Sequence, residues 1–223
     1  AEFVSDESMS ILVGVGTTDE FAGTIHSPRV FGGIVRYNAH RVIPDICGDS
    51  MCGKSEDFDS CPIDCARREL QTTFEFSLGS SGNMFTVEAQ RDIAVSSFAI
   101  NAMSRGEGEV KVYTRNGSYN GHVQSSEGWE LIYHNHIVVH NRRGRRTELG
   151  DFANAVIIKS GATQSFFVTS SKGLVYKEGT KESAEFVRDE SLVIHEGLGT
   201  TGEFSGDPFS PRVFGGIIRY DVH

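Results

Sequence analysis

The sequence predicts an all-β protein: a jelly-roll-like two-sheet β-sandwich, preceded by a disulfide-stapled linker and an extra N-terminal strand segment. Three observations predict it. Short runs of alternating apolar and polar residues recur from residue 70 to residue 223, punctuated by turn-forming residues. No stretch carries an apolar stripe of helical period over three turns. The first forty residues repeat the last forty.

The repeat comes first in the chain. Residues 1–40 align without a gap on residues 184–223, and 26 of the 40 positions are identical. Within the first copy, SMSILVGVG (8–16) and RVFGGIVRY (29–37) read as strands with apolar faces. An isolated strand pair is marginal in water, so these faces need cover from outside residues 1–40. Phe3, Ile11, Val30, Phe31, Ile34 and Tyr37 are the side chains expected to seek it. Either residues 1–40 are the C-terminal strands of a preceding repeat in a tandem array, or they dock as donated strands on a neighbouring copy. The plainer alternative is a duplication folded back on its own domain. Phe31, Ile34 and Tyr37 are expected in environments like those of Phe214, Ile217 and Tyr220. The chain opens on Ala1 without an initiator Met, which reads as a processed or excised piece.

Residues 41–69 form a linker that holds all four cysteines, spaced Cys47-x4-Cys52-x8-Cys61-x3-Cys65. Neither half is a CxxC pair, so zinc and thiol-redox readings are weak. Four cysteines in a short, apolar-poor segment suit two disulfides that staple a loop too small for a core. Among the three pairings four cysteines allow, interleaved bridges would fix both halves of the loop. That favours Cys47–Cys61 and Cys52–Cys65. The acidic residues Asp49, Glu56, Asp57, Asp59 and Asp64 offer hard oxygen ligands for Ca²⁺. The competing reading is a solvated acidic loop, since the spacing is not that of an EF-hand.

Residues 70–223 are the sandwich domain. Strands are expected at 70–77, 83–90, 93–103, 109–115, 129–140, 155–160, 164–170, 173–177, 190–197 and 212–222. Gly79-Ser80-Ser81-Gly82, Asn116-Gly117, Arg143-Gly144 and Ser160-Gly161 read as turns between them.

The ordered motifs GNMF (82–85), SSFAI (96–100), VKVYTRNGSYNG (110–121), WELI (129–132), QSFFVTSS (164–171), LVYKEGT (174–180), LVIHEGLGT (192–200) and FSPRVFGGIIRY (209–220) together resemble a family. It is a widespread family of secreted β-sandwich modules found in bacteria and in algae such as diatoms. They occur in tandem or attached to larger surface proteins, with no firmly assigned chemistry. The resemblance covers residues 70–223 and, through the repeat, residues 1–40. It implies an extracellular setting. CGDSMCGKSEDFDSCPIDC (47–65) likewise resembles a short Cys-rich motif of extracellular proteins, CGDxxCxxxExxxxCPxDC. The first copy departs at Val13, where the second has Glu196, which argues against a ligand role for Glu196 as a property of the repeat.

Composition limits the function. With 21 Lys and Arg against 30 Asp and Glu, the net charge is −9, which repels phosphate backbones and disfavours nucleic acid. The apolar runs are too short for a membrane helix, and no signal peptide is expected. GxSxG and HExxH are missing, so an enzyme is not expected. Asn116-Gly117-Ser118 is the one N-x-S/T sequon and a candidate glycan site. His134, His136 and His140 share a strand parity and form a candidate metal face, although such a stripe is ordinarily the polar face of a half-buried strand. Arg142, Arg143, Arg145 and Arg146 make a basic loop, read as a solvated loop before an acidic-partner or processing site. Trp129, with Tyr113, Tyr119 and Tyr133, is a candidate sugar-stacking set, though one Trp in WELIY reads first as a packing residue.

The expected function is therefore structural: a subunit of an extracellular or cell-surface fibre or array. Its partners would be copies of itself, joined by strand complementation or as tandem repeats. The alternative is a carbohydrate-binding or adhesive surface module with glycan partners.

Overall fold

In the strand at 106–116, Val110 and Val112 face one apolar cluster and Tyr113 faces another, so the period-two pattern puts side chains on both faces of a sheet. A computed structural model shows how these faces are used. It describes residues 3–5, 10–12, 14–19, 22–29, 47, 56, 60–62, 67–75, 78–140 and 146–223. The chain divides into two compact units, Ala1–Ile43 and Pro44–His223.

In the first unit the described strands are β1 (Phe3–Ser5), β2 (Ser10–Leu12), β3 (Gly14–Asp19) and β4 (Ala22–Arg29). Among the described residues they form two separate antiparallel pairs, β1 with β2 and β3 with β4.

The second unit is all-β among its described residues. Its strands are β5 (Arg68–Gln71), β6 (Leu78–Ala89), β7 (Ile93–Ile100), β8 (Gly106–Asn116), β9 (Glu130–Val139), β10 (Thr147–Glu148), β11 (Val156–Ile158), β12 (Thr163–Glu178), β13 (Glu185–Arg188), β14 (Leu192–His195), β15 (Gly197–Thr200), β16 (Phe209–Phe214) and β17 (Gly216–Val222). Two antiparallel sheets result, as expected for a sandwich. The smaller runs β10–β7–β17–β5, with β11 also on β7. The larger runs β13–β14–β6–β15–β16–β12–β8–β9. Among the described residues the chain changes sheets six times, at β5/β6, β6/β7, β7/β8, β9/β10, β11/β12 and, through Gly215, β16/β17.

The core lies between the sheets. Phe85, Phe98, Phe166 and Phe214 are buried together, with Phe85 stacked on Phe214 at 4.4 Å and Phe98 edge-on to Phe166 at 5.1 Å. Each such ring contributes about 1.5–3 kcal/mol by leaving water. A second cluster covers the outer face of the larger sheet. Met84, Tyr113, Tyr119, Phe167 and Leu198 are buried there, with Val123, Trp129 and Phe204 packed against them.

Three sequence expectations are corrected. Gly79-Ser80-Ser81-Gly82 is not a turn but the first half of β6, paired with β12. Glycine is needed at 82 for a close approach: a Cβ there would stand 2.6 Å from the Phe167 ring. The expected strands at 164–170 and 173–177 are one strand, β12, with a register shift between Thr169 and Leu174. Asn116-Gly117 does not close a tight hairpin, because β9 begins only at Glu130; Gly117 instead takes φ +74 and donates to the Thr163 carbonyl at 2.9 Å. Arg143-Gly144 lies outside the described residues. Ser160-Gly161 is a turn, with Gly161 at φ +77.

Candidate assembly interface

The second copy of the repeat shows how this sequence is used when its surroundings are complete. Its residues 184–223 form β13 to β17. Asp189, between β13 and β14, accepts from the backbone amides of Ser191 (2.8 Å) and Leu192 (2.9 Å) and from the Tyr220 hydroxyl. This ties the first hairpin to the last strand. Burial, followed by the Asp189 carboxylate, pushes the Tyr220 phenol well above its ordinary value.

The rest of the domain, residues 67–183, acts as a body on which the segment docks. Two short strands lie along one edge of β6. Leu192, Val193 and Ile194 pair with Ala89, Glu88 and Val87, and Leu198, Gly199 and Thr200 pair with Met84, Asn83 and Gly82. Gly197 runs so close to β6 that a Cβ there would collide with the Met84 carbonyl. β16 pairs with the end of β12, and β17 inserts between β7 and β5. Ile194, Val213, Phe214, Ile217 and Tyr220 are all buried by these contacts.

Side chains add specific pairs. Glu203 accepts from Lys111 Nζ at 2.9 Å and from the Tyr113 hydroxyl. Partial burial pushes the Glu203 carboxyl up, but the Tyr113 and Lys111 hydrogen bonds outweigh it and hold it below the usual carboxylate value. Phe204 meets Tyr113 and Phe167 edge-on, each at 5.0 Å, and Trp129 at 6.0 Å. Arg219 is forked between Glu69 and Glu148, each at 2.6 Å. The Arg219 hydrogen bond in turn holds the Glu69 carboxyl below its ordinary value. Glu190 pairs with Arg68, and Ser210 donates to Glu182. Glu196 is buried and accepts from the Thr180 amide (2.6 Å), the Thr180 hydroxyl (3.0 Å) and the Lys181 amide (2.9 Å), so it fixes a turn.

Over most of its described residues the first copy pairs as the second does, an exception being Phe3↔Leu12, where the second copy shifts to Glu185↔His195. Val4↔Ile11 and Ser5↔Ser10 have the register of Val187↔Ile194 and Arg188↔Val193. Gly14↔Arg29 and Gly16↔His26 have that of Gly197↔Arg212 and Gly199↔Phe209. Even the terminal pair Asp19↔Ala22 matches the bridge Gly202↔Ser205. Of the six expected assembly residues, Phe3 and Ile11 lie in β1 and β2. Val30, Phe31, Ile34 and Tyr37 lie outside the described residues.

Other expected sites are placed as follows. Cys47 and Cys61 form a disulfide, with Cα atoms 5.4 Å apart. Cys52 and Cys65 lie outside the described residues, as do Asp49, Asp57, Asp59 and Asp64. Glu56 of the acidic set is buried. Asn116 ends β8 and is exposed. His134 bonds Glu109 at 2.7 Å and its ring lies 6.3 Å from that of His136, on the edge strand β9. His140 follows the strand and is held by its backbone to Thr147. No group of three or more potential metal ligands converges among the described residues. Of the basic loop, only Arg146 is described, paired with Glu148 at 2.6 Å. Tyr113, Tyr119 and Tyr133 are buried and Trp129 is half-buried, its indole donating to the His122 carbonyl at 3.1 Å.

Sequence reasoning missed Glu203, Phe204 and Arg219, whose partners lie far off in the chain. One signal for them was in the repeat: Glu20, Phe21 and Arg36 stand at the matching places. No protein-family model matches the chain, and no curated protein matches it.

Proposed function

We propose that the chain is a structural subunit of an extracellular fibre or cell-surface array, assembled by strand complementation or as tandem repeats. The observation that carries this reading is the register match. The first copy forms the same hairpins as the second, and among the described residues each of its strands has one partner only. In the second copy β14 and β15 gain a further ladder on β6 and β16 gains one on β12, while β13 stays at the sheet edge. Burying residues matching Val213, Phe214, Ile217 and Tyr220 on a partner would contribute on the order of 6–12 kcal/mol before ordering costs. A contact between the head of one unit and the tail of the next is heterologous, so it propagates unless rotation closes it.

The extracellular setting is supported by the Cys47–Cys61 bond, since such bonds persist in oxidising compartments. Asn116 is exposed and open to glycosylation. Ca²⁺ would stiffen the linker, held by Glu56 with Asp49, Asp57, Asp59 and Asp64. Chelation with EGTA should then make that segment more susceptible to protease. Electron microscopy of the purified chain tests the main reading. Filaments or ordered arrays are expected; a monodisperse field of single particles at high concentration overturns it.

A further inference from the structure

The identities between the two copies say what kind of partner residues 1–40 fit. Buried positions in a repeat stay similar for generic reasons of packing, so the exposed positions are the informative ones. Glu190, Glu203 and Ser210 are exposed, yet each reaches the body, through Arg68, through Lys111 with Tyr113, and through Glu182. All three are kept in the first copy, as Glu7, Glu20 and Ser27. Arg188, Ser205, Asp207, Pro208 and Phe209 are equally exposed, and no side-chain hydrogen bond or ion pair to the body is found for them among the described residues. All five differ, as Ser5, Ala22, Thr24, Ile25 and His26, whereas Glu185 and Thr201, exposed with no such body contact, are kept as Glu2 and Thr18.

The half-buried contacts follow the same rule. Phe204, which fills the space among Tyr113, Trp129 and Phe167, is kept as Phe21. Arg219, forked between Glu69 and Glu148, is kept as Arg36. Gly197, which admits the Met84 carbonyl, is kept as Gly14. Two body contacts are lost: Glu196, which locks the turn at Thr180 and Lys181, is replaced by Val13, and His195, which reaches Glu88 and the Ser183 carbonyl, is replaced by Leu12.

We infer that residues 1–40 close a second sandwich body of the same build as residues 67–183, not an unrelated strand acceptor. That body presents a lysine and tyrosine to Glu20, an aromatic pocket to Phe21, a carboxylate pair to Arg36 and an arginine to Glu7. Its connection into the segment differs from Thr180-Lys181, because no carboxylate is supplied to fix it. The inference rests on the assembly reading for its setting, but its evidence is the pattern of kept contacts.

A full-length chimera tests it. The fourteen residues of 184–223 that differ from 1–40 are exchanged for those of the first copy, leaving the rest of the chain intact. A second chimera keeps Glu196. If the first copy is built for such a body, both chimeras unfold in a single cooperative thermal transition. Tm should fall by roughly 10–20 °C in the first and by less in the second. Loss of the cooperative transition in both overturns the inference. Filament formation by the natural chain plays no part in this readout, so failure here and failure of the assembly reading are separable.

Discussion

The described strands of residues 3–29 and their counterparts in 185–212 form matching hairpins, with a register difference at Phe3↔Leu12 against Glu185↔His195, yet only the second set is stitched into a larger sheet among the described residues. The comparison separates two things that a folded domain usually confounds. Register is encoded locally, by the turn residues and the alternation within each hairpin. Burial is not. Ile194, Val213 and Phe214 are buried because β6 and β12 lie beside them and the smaller sheet lies above. The first copy therefore has the information for its hairpins.

The largest effect should come from removing one copy or the other. Deleting residues 184–223 takes away β13 to β17 and should abolish cooperative unfolding by circular dichroism. Deleting residues 1–40 should leave the transition of the sandwich within roughly 3 °C of its original position. Equal losses from the two deletions would show that both copies hold the same sandwich together.

Next are matched point changes. Phe214→Ala removes a ring stacked on Phe85 and should cost about 3–5 kcal/mol in denaturant unfolding. Phe31→Ala should leave the stability of the unassembled chain unchanged while weakening assembly. A smaller effect is expected at Glu196: Glu196→Val strands the Thr180 and Lys181 amides and should cost about 1–3 kcal/mol. Val13→Glu should have no comparable effect.

The elements legible in the sequence were those with clean alternation, such as β8 and β9, whereas the single strand expected at 212–222 is two, β16 and β17, in different sheets. The misreadings share one cause: tertiary contact overrode a local signal. Gly79 to Gly82 carries turn chemistry, yet it lies extended because Gly82 must pass under Phe167. Leu174 follows Gly173 at φ +69, which reads as a turn but serves as an irregularity within β12. The site was legible as a repeat and illegible as chemistry. Glu203 finds Lys111 across 92 residues and Arg219 finds Glu69 across 150, distances at which no sequence pattern names a partner.

The smallest predicted effect concerns pH. The Glu203 carboxyl is held below its ordinary value of 4.5 by Tyr113 and Lys111 against the opposing effect of burial. A depressed carboxylate stabilises the fold fully above its unfolded value, and that share is lost as pH falls through the lower folded value. The pair is partly exposed, so solvent screening leaves about 0.2–1 kcal/mol. Glu203→Gln should remove this share at neutral pH and flatten the acid limb of a stability profile below about pH 4.5. An unchanged acid limb would show that the contact is held by shape alone.

Joining one unit to the next is the proposed role of residues 1–40. Its most direct test is sedimentation and negative-stain microscopy of the full chain beside the same chain lacking residues 1–40, at matched concentration. The full chain should form long assemblies, and the shortened chain should sediment as a single folded species of one sandwich. Filaments of unchanged length from the shortened chain would contradict the account.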